Sequence, residues 1–195
     1  MRLLPNAFAG LPDVVVPGPR LFLRPARPGD WKPWAALREQ SRSFLVPWEP
    51  LWPSDALTRA AFIRRLRSQA QEWRDDEAYS FLAFRAEDEA LIGGIALSNV
   101  RRGVAQMATM GYWVGEPYAR RGYMTEAARL AVGFAFQQLA LHRVEAACLP
   151  SNEPSRRLLL RIGFQQEGLA RAYLRIAGQW HDHLLFAVLR EEWRG

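Results

Sequence analysis

The sequence predicts a mixed, mostly antiparallel sheet of about seven strands with helices on both faces, an α/β (α+β) architecture. Three observations predict it. Hydrophobic periodicity gives the order strand, two helices, three strands, helix, strand, helix, two strands. Of the 195 residues, 49% are hydrophobic, enough for a sizeable core. No repeat, low-complexity block or linker divides the chain, so residues 20–195 read as one domain. The lead, residues 1–19, is apolar but broken by Pro5, Pro12, Pro17 and Pro19, and is expected to be loosely packed rather than a signal peptide.

Each element follows in order. Arg20 to Pro25 alternates apolar and polar and predicts the first strand. Asp30 is placed to cap a helix running to about Gln40, with Pro33 tolerated in its first turn. Ser41 to Ser54 holds three prolines and two tryptophans, which predicts irregular structure. Ser54 then stands as the cap of a second helix reaching about Trp73. Tyr79–Arg85 and Ala90–Asn99 read as strands around the polar turn Glu87-Asp88-Glu89. Gly103 marks a turn before the strand Met107–Val114.

Met124 to Gln138 carries Ala127, Leu130, Ala131 and Phe134 at helical spacing. Arg143–Leu149 is a short strand. Asn152–Ile162 is a helix with Ser155, Leu158, Leu159 and Ile162 on one face and Gly163 as its stop. Two last strands, Gln165–Ile176 and Trp180–Leu189, join through Ala177-Gly178.

Composition narrows the partners. The formal net charge is +6, and Lys32 is the only lysine. Such a surface is either a solvated basic face or attractive to the phosphates of a cofactor or nucleic acid. The single cysteine, Cys148, excludes an internal disulfide framework and fits a reducing, cytoplasmic compartment. No apolar run has the length of a membrane span. His181 and His183 share a strand face, but a metal site needs further ligands and none is evident. Cys148 reads as a core thiol in an apolar strand.

The segment Ala119-Arg-Arg-Gly-Tyr-Met-Thr-Glu-Ala127 joins a predicted strand to a predicted helix. A helix N-terminus offers unpaired N–H groups and the positive end of a dipole. Gly122 lets backbone approach a ligand and permits positive φ, and Arg120 and Arg121 add attraction. Together they describe a pyrophosphate cradle at residues 120–125. The competing reading is an ordinary turn with arginines in water.

This stretch resembles the acyl-CoA loop of the GNAT superfamily of N-acetyltransferases, Gln/Arg-x-x-Gly-x-Gly/Ala. Laid on this chain the pattern starts at Ala119, with Gly122 central and Met124 last. Ala119 and Met124 depart from it, which costs little if backbone N–H groups do the binding. "SNEPSRRLLLRIGF" (residues 151–164) resembles the family's second signature, with Asn152, Ser155, Gly163 and Phe164 in place. "PWEP", "GYWVG", "GYMTEA", "LHRVEA", "SNEPS" and "EGLARAYLRIAGQWHDHLLFAVL" look like the branch of ribosomal-protein-alanine N-acetyltransferases, the RimJ-like enzymes.

The resemblance implies acetyl-CoA as cosubstrate, no metal, and direct attack of an amine on the thioester. It implies that Arg120, Arg121, Gly122, Tyr123, Met124 and Thr125 hold the pyrophosphate. The backbones of Tyr112, Trp113 and Val114 would meet the pantetheine amides, with Asn152 touching the same arm. The family's tyrosine acid has no counterpart here, because its position is Leu159. Ser155 is then the hydroxyl candidate for the thiolate, its other reading being a helix cap. Glu49, in the aromatic loop, is the carboxylate candidate for general base, its other reading a solvated loop glutamate. Trp48 and Trp52 either line a peptide groove or fill the core beneath it.

The expected acceptor is a protein or peptide N-terminus, such as that of a ribosomal protein, for a monomer or a homodimer. The alternatives are a small amine, or a non-catalytic basic CoA-binding module. Aromatic RNA-binding signatures are missing, which argues against a dedicated nucleic-acid module.

Overall fold

The computed structural model describes residues 12–195; of the lead, residues 1–11 lie outside the described residues. Eight strands form one sheet, β1 (Val16–Pro17), β2 (Leu21–Arg24), β3 (Tyr79–Arg85), β4 (Leu91–Arg101), β5 (Met107–Val114), β6 (Arg143–Cys148), β7 (Gln165–Ile176) and β8 (Gln179–Leu189). The helices are α1 (Trp31–Gln40), α2 (Arg42–Leu45), α3 (Arg59–Arg74), α4 (Tyr123–Gln137) and α5 (Glu153–Arg161). The sheet order is β1-β2-β3-β4-β5-β6-β8-β7. The seven predicted strands are present, and the two-residue β1 adds an eighth at one edge.

Every neighbouring pair is antiparallel except β5 and β6. A parallel pair needs a crossover, and α4 supplies it. Strand alternation puts a core on each face. Tyr79, Phe81 and Ala83 of β3 join α4 and α5 in the larger core. Leu82 and Phe84 of the same strand join Trp34, Leu37, Phe62 and Leu66 of α1 and α3 in the smaller one. Burying a side chain such as Phe62 or Leu66 stabilises by roughly 1.5–3 kcal/mol, which fixes α3 against the sheet.

Three local expectations are corrected. α3 starts at Arg59, because Thr58 rather than Ser54 caps it; its hydroxyl accepts from Ala61 N–H at 3.2 Å. Ser41–Ser54 is partly regular: α2 is followed by a 3₁₀ turn, Val46–Trp48, whose Pro47 falls where no N–H is needed. Asp30 gives α1 no side-chain cap. Its carboxylate instead accepts from both terminal nitrogens of Arg24, at 2.7 and 2.8 Å, and from Arg27 N–H at 2.6 Å. That buried fork ties the start of α1 to β2.

Candidate active site

The site begins where two strands part. β5 and β6 pair only through Met107–Arg143, Ala108–Val144 and Thr109–Glu145. Beyond Thr109 no pairing joins them, while β5 stays paired to β4 through Tyr112, Trp113 and Val114. A strand's backbone groups alternate in direction, so the edge of β5 facing the wedge offers unpaired N–H and C=O groups. Among the described residues one side-chain bond spans the opening. The Tyr112 hydroxyl lies 2.7 Å from Ser155 Oγ, linking β5 to the first turn of α5.

Burial pushes the Tyr112 phenol well above its ordinary value, so it stays protonated. Burial likewise pushes up the thiol of Cys148 at the end of β6, against the opposing influence of the Ser155 hydroxyl. This cluster therefore carries no charge of its own. Asn152 caps α5, its Oδ1 accepting from Ser155 N–H at 3.2 Å. Its amide NH₂ is left over for a ligand. Leu159 is fully buried in the larger core, so that position packs the sheet and faces no ligand.

The N-terminus of α4 opens beside the wedge. Gly122 is its cap, with φ at 80°, and Arg120 also has a positive φ of 60°. A Cβ on Gly122 would meet only a terminal nitrogen of Arg20, at 3.4 Å, so the glycine is needed for its conformation rather than for space. Among the described residues, no backbone N–H of residues 120–125 finds a backbone or side-chain acceptor. Glu126, the acid in this first turn, is neutralised by Arg20, whose Nε donates to it at 2.8 Å. Arg120 and Arg121 are exposed, and Thr125 and Tyr123 half-buried. Met124 turns its side chain into the core and presents only backbone. The run of free N–H groups fits a pyrophosphate, and the open edge of β5 fits a pantetheine arm.

On the other side of β5 lies a cleft of about 590 Å³. α1, α3, β4, β5 and the loop after α2 wall it, and Glu49, Trp52, Tyr112 and Trp113 line it. Trp52 belongs to the groove; Trp48 does not line it. Trp113 reaches the cleft because β4 has glycine opposite: a Cβ on Gly94 would stand 2.5 Å from the indole nitrogen.

Arg38, buried on α1, is the centre of the wall. Its guanidinium lies 4.4 Å from the Trp52 ring and 4.8 Å from that of Trp113. It is paired with Glu49, whose Oε2 also accepts from Trp52 Nε1 at 2.7 Å. Glu49 thus faces the cleft but is held by a guanidinium and an indole. Sequence reasoning missed Arg38, the Trp113 indole and the Tyr112 phenol. The pair Gly93-Gly94 inside a strand was the available signal for a close approach.

Elsewhere, His183 is buried and its Nδ1 lies 2.9 Å from the His181 carbonyl, while Asp182 accepts from Ala172 N–H. Among the described residues no group of His, Cys, Asp or Glu is arranged to hold a metal. No helix among them is long and apolar enough to cross a membrane.

A splayed parallel pair beside a free helix terminus, with a separate cleft behind the same strand, gives the molecule two adjoining sites, as an enzyme that transfers a group between two substrates requires. The chain belongs to the GNAT acetyltransferase family: residues 20–165 match the family described as "Acetyltransferase (GNAT) domain". Its chemistry is the acetyl-CoA-dependent N-acetyl transfer of that family.

The Escherichia coli protein named "[Ribosomal protein uS5]-alanine N-acetyltransferase" is 32% identical over 191 residues, covering 95% of each chain. The structure of Mycobacterium smegmatis RimJ in complex with CoA-disulfide superposes with a TM-score of 0.86 at 33% identity, covering 94% of this chain and 90% of that one. The Vibrio fischeri ribosomal-protein-S5-alanine acetyltransferase gives 0.85 at 28% identity, covering 94% of this chain and all of the other.

Proposed function

We propose that this acetyltransferase modifies the N-terminal α-amine of a protein, with ribosomal proteins the first acceptors to test, in the cytoplasm. The acceptor cleft carries the reading. It is large, solvent-open and walled by the proline-stiffened loop Pro50–Pro53, which suits an extended chain entering by its end. The 32% identity to an alanine N-acetyltransferase of a ribosomal protein supports it. The chemistry agrees. An α-amine has a pKa of about 7.7–8.0, against about 10.4 for lysine, so it is partly neutral and asks little of a base.

Bound acetyl-CoA supplies the acetyl thioester. In this reading the N–H groups of Arg120, Arg121, Gly122, Tyr123, Met124 and Thr125 hold its pyrophosphate, and the two guanidiniums add attraction. The backbones of Tyr112, Trp113 and Val114 and the amide of Asn152 hold the arm, and a β5 N–H polarises the carbonyl. The protonated Tyr112 phenol donates to Ser155 Oγ, which leaves the serine hydrogen to meet the sulfur. Glu49 keeps free lone pairs beside its partners and accepts the amine's proton through water.

The test compares three acceptors: a peptide with a small free N-terminal residue, its N-terminally blocked twin carrying a lysine, and a panel of small amines. The free peptide is expected to turn over fastest. Faster turnover of the blocked peptide or of a small amine overturns the N-terminal assignment.

A further inference from the structure

Three arginines line the acceptor cleft, Arg38, Arg64 and Arg65. Two are spoken for. Arg38 is paired with Glu49, and Arg64 with Asp55. Among the described residues these two carboxylates are also the only acids on the cleft wall. Arg65 has neither an ion-pair partner nor a side-chain hydrogen bond among the described residues; its one contact of note is with the Trp34 ring, at 5.7 Å. Counted over the described residues, the cleft therefore carries one uncompensated positive charge, and it belongs to α3.

The surroundings disfavour that charge. Crowding by protein and the nearby Arg38 push the Arg65 guanidinium below its ordinary value, while Glu49 and Glu72 act the other way. The side chain is nonetheless open to solvent through the cleft, so water screens much of this. An exposed guanidinium beside a second one gains most from a carboxylate, which its planar fork accepts in bidentate fashion. Gln69, one turn further along α3, and Ser80 on β3 line the cleft too and supply further donors. Arg59 and Arg67 line a shallow hollow outside the cleft on the same helix, and neither has an ion-pair partner among the described residues. The positive field thus runs from the cleft to its outer lip.

We infer that Arg65 is a specificity-determining residue, which selects acceptors carrying a carboxylate close to the reacting amine. This rests on the N-terminal reading above, in which the carboxylate is an Asp or Glu side chain a few residues into the acceptor. A free amino acid would offer the same group as its own α-carboxylate. The contact is the same before and during acyl transfer, so it acts through KM and leaves kcat unchanged.

The experiment measures initial rates of CoA release with matched peptides starting with alanine, with Glu or Gln at the second, third or fourth position. Free alanine and alaninamide form a second arm. The wild type is expected to favour the best-placed Glu peptide over its Gln twin about tenfold in KM. Arg65→Gln should erase that difference by raising the KM of the Glu peptide to that of its Gln twin. Arg65→Glu should reverse it in favour of a Lys-containing peptide, a gain that misfolding cannot produce. If the peptides are inert but alanine beats alaninamide and Arg65→Gln removes the gap, carboxylate selection stands and the N-terminal reading fails. If the wild type ignores the carboxylate in both arms, or Arg65→Gln weakens acid and amide acceptors alike, the inference is overturned.

Discussion

The two sides of β5 are built from different materials. The side proposed for the cosubstrate is mostly backbone: an unpaired strand edge, a helix terminus and a glycine in a left-handed turn. The side proposed for the acceptor is mostly side chain: a buried guanidinium among indoles, tied to a loop carboxylate. Backbone geometry survives most substitutions, because any residue but proline brings the same N–H. A side-chain cage depends on each member. The first side is thus suited to an invariant cosubstrate, and the second to an acceptor that differs between relatives.

The sharpest way to break this comparison is to remove the centre of the cage. Arg38→Ala strips a half-buried carboxylate of its guanidinium and takes away the cation between Trp52 and Trp113. Breaking a fully buried pair costs about 3–5 kcal/mol; Glu49 keeps access to the open cleft, so a loss of about 2–3 kcal/mol is expected. Denaturant unfolding should show a loss of that order. Glu49→Ala should cost a similar amount, and the double variant less than the sum of the two. Additive losses would show that cage and loop are independent, and that the acceptor wall is no more cooperative than the backbone side.

A smaller and more local loss is expected at Gly122. Its φ of 80° is open to glycine and strained for a β-branched residue, and a misplaced turn misdirects the N–H groups on either side. Gly122→Val should weaken CoA binding at least tenfold, about 1.4 kcal/mol, by calorimetry. The KM for a peptide acceptor should not move. Unchanged CoA affinity would remove the cradle from residues 120–125.

The same contrast decides what could be read from the sequence. The left-handed turn at Gly122 and the cap at Asn152 were legible because each acts within a few residues of itself. The strand order was legible because periodicity is local. Arg38, Glu49, Trp52 and Trp113 were not legible as a unit. They come from a helix, a loop and a strand, and only packing of α1 on the sheet brings them together. Glu49 was found by its loop, but its partners were not, and they decide how free its oxygens are. Ser54 was read as the cap that Thr58 supplies; both residue types cap well, and local chemistry does not choose between them. Arg65 was one arginine among many in a chain that uses almost no lysine; what singles it out is the absence of a partner, visible only in three dimensions.

Tyr112 belongs to both sides, and it gives the finest test. Its backbone lies on the edge proposed to hold the cosubstrate, the residue also borders the cleft, and its side chain packs on the larger core with the hydroxyl reaching Ser155. If that hydroxyl only fills space, Tyr112→Phe should do nothing. If it orients Ser155, the phenol donates and the serine hydrogen is directed at the sulfur as charge develops there. Losing one such bond is worth about 0.5–1.5 kcal/mol, so kcat should fall roughly two- to tenfold. The KM for acetyl-CoA should hold, since the β5 backbone is untouched and the contact tightens only in the transition state. Ser155→Ala should lower kcat by at least as much, and adding Tyr112→Phe to it should cost nothing further. A rise in the KM for acetyl-CoA with kcat intact would make both residues part of the binding surface, and the thiolate would have to find its proton elsewhere.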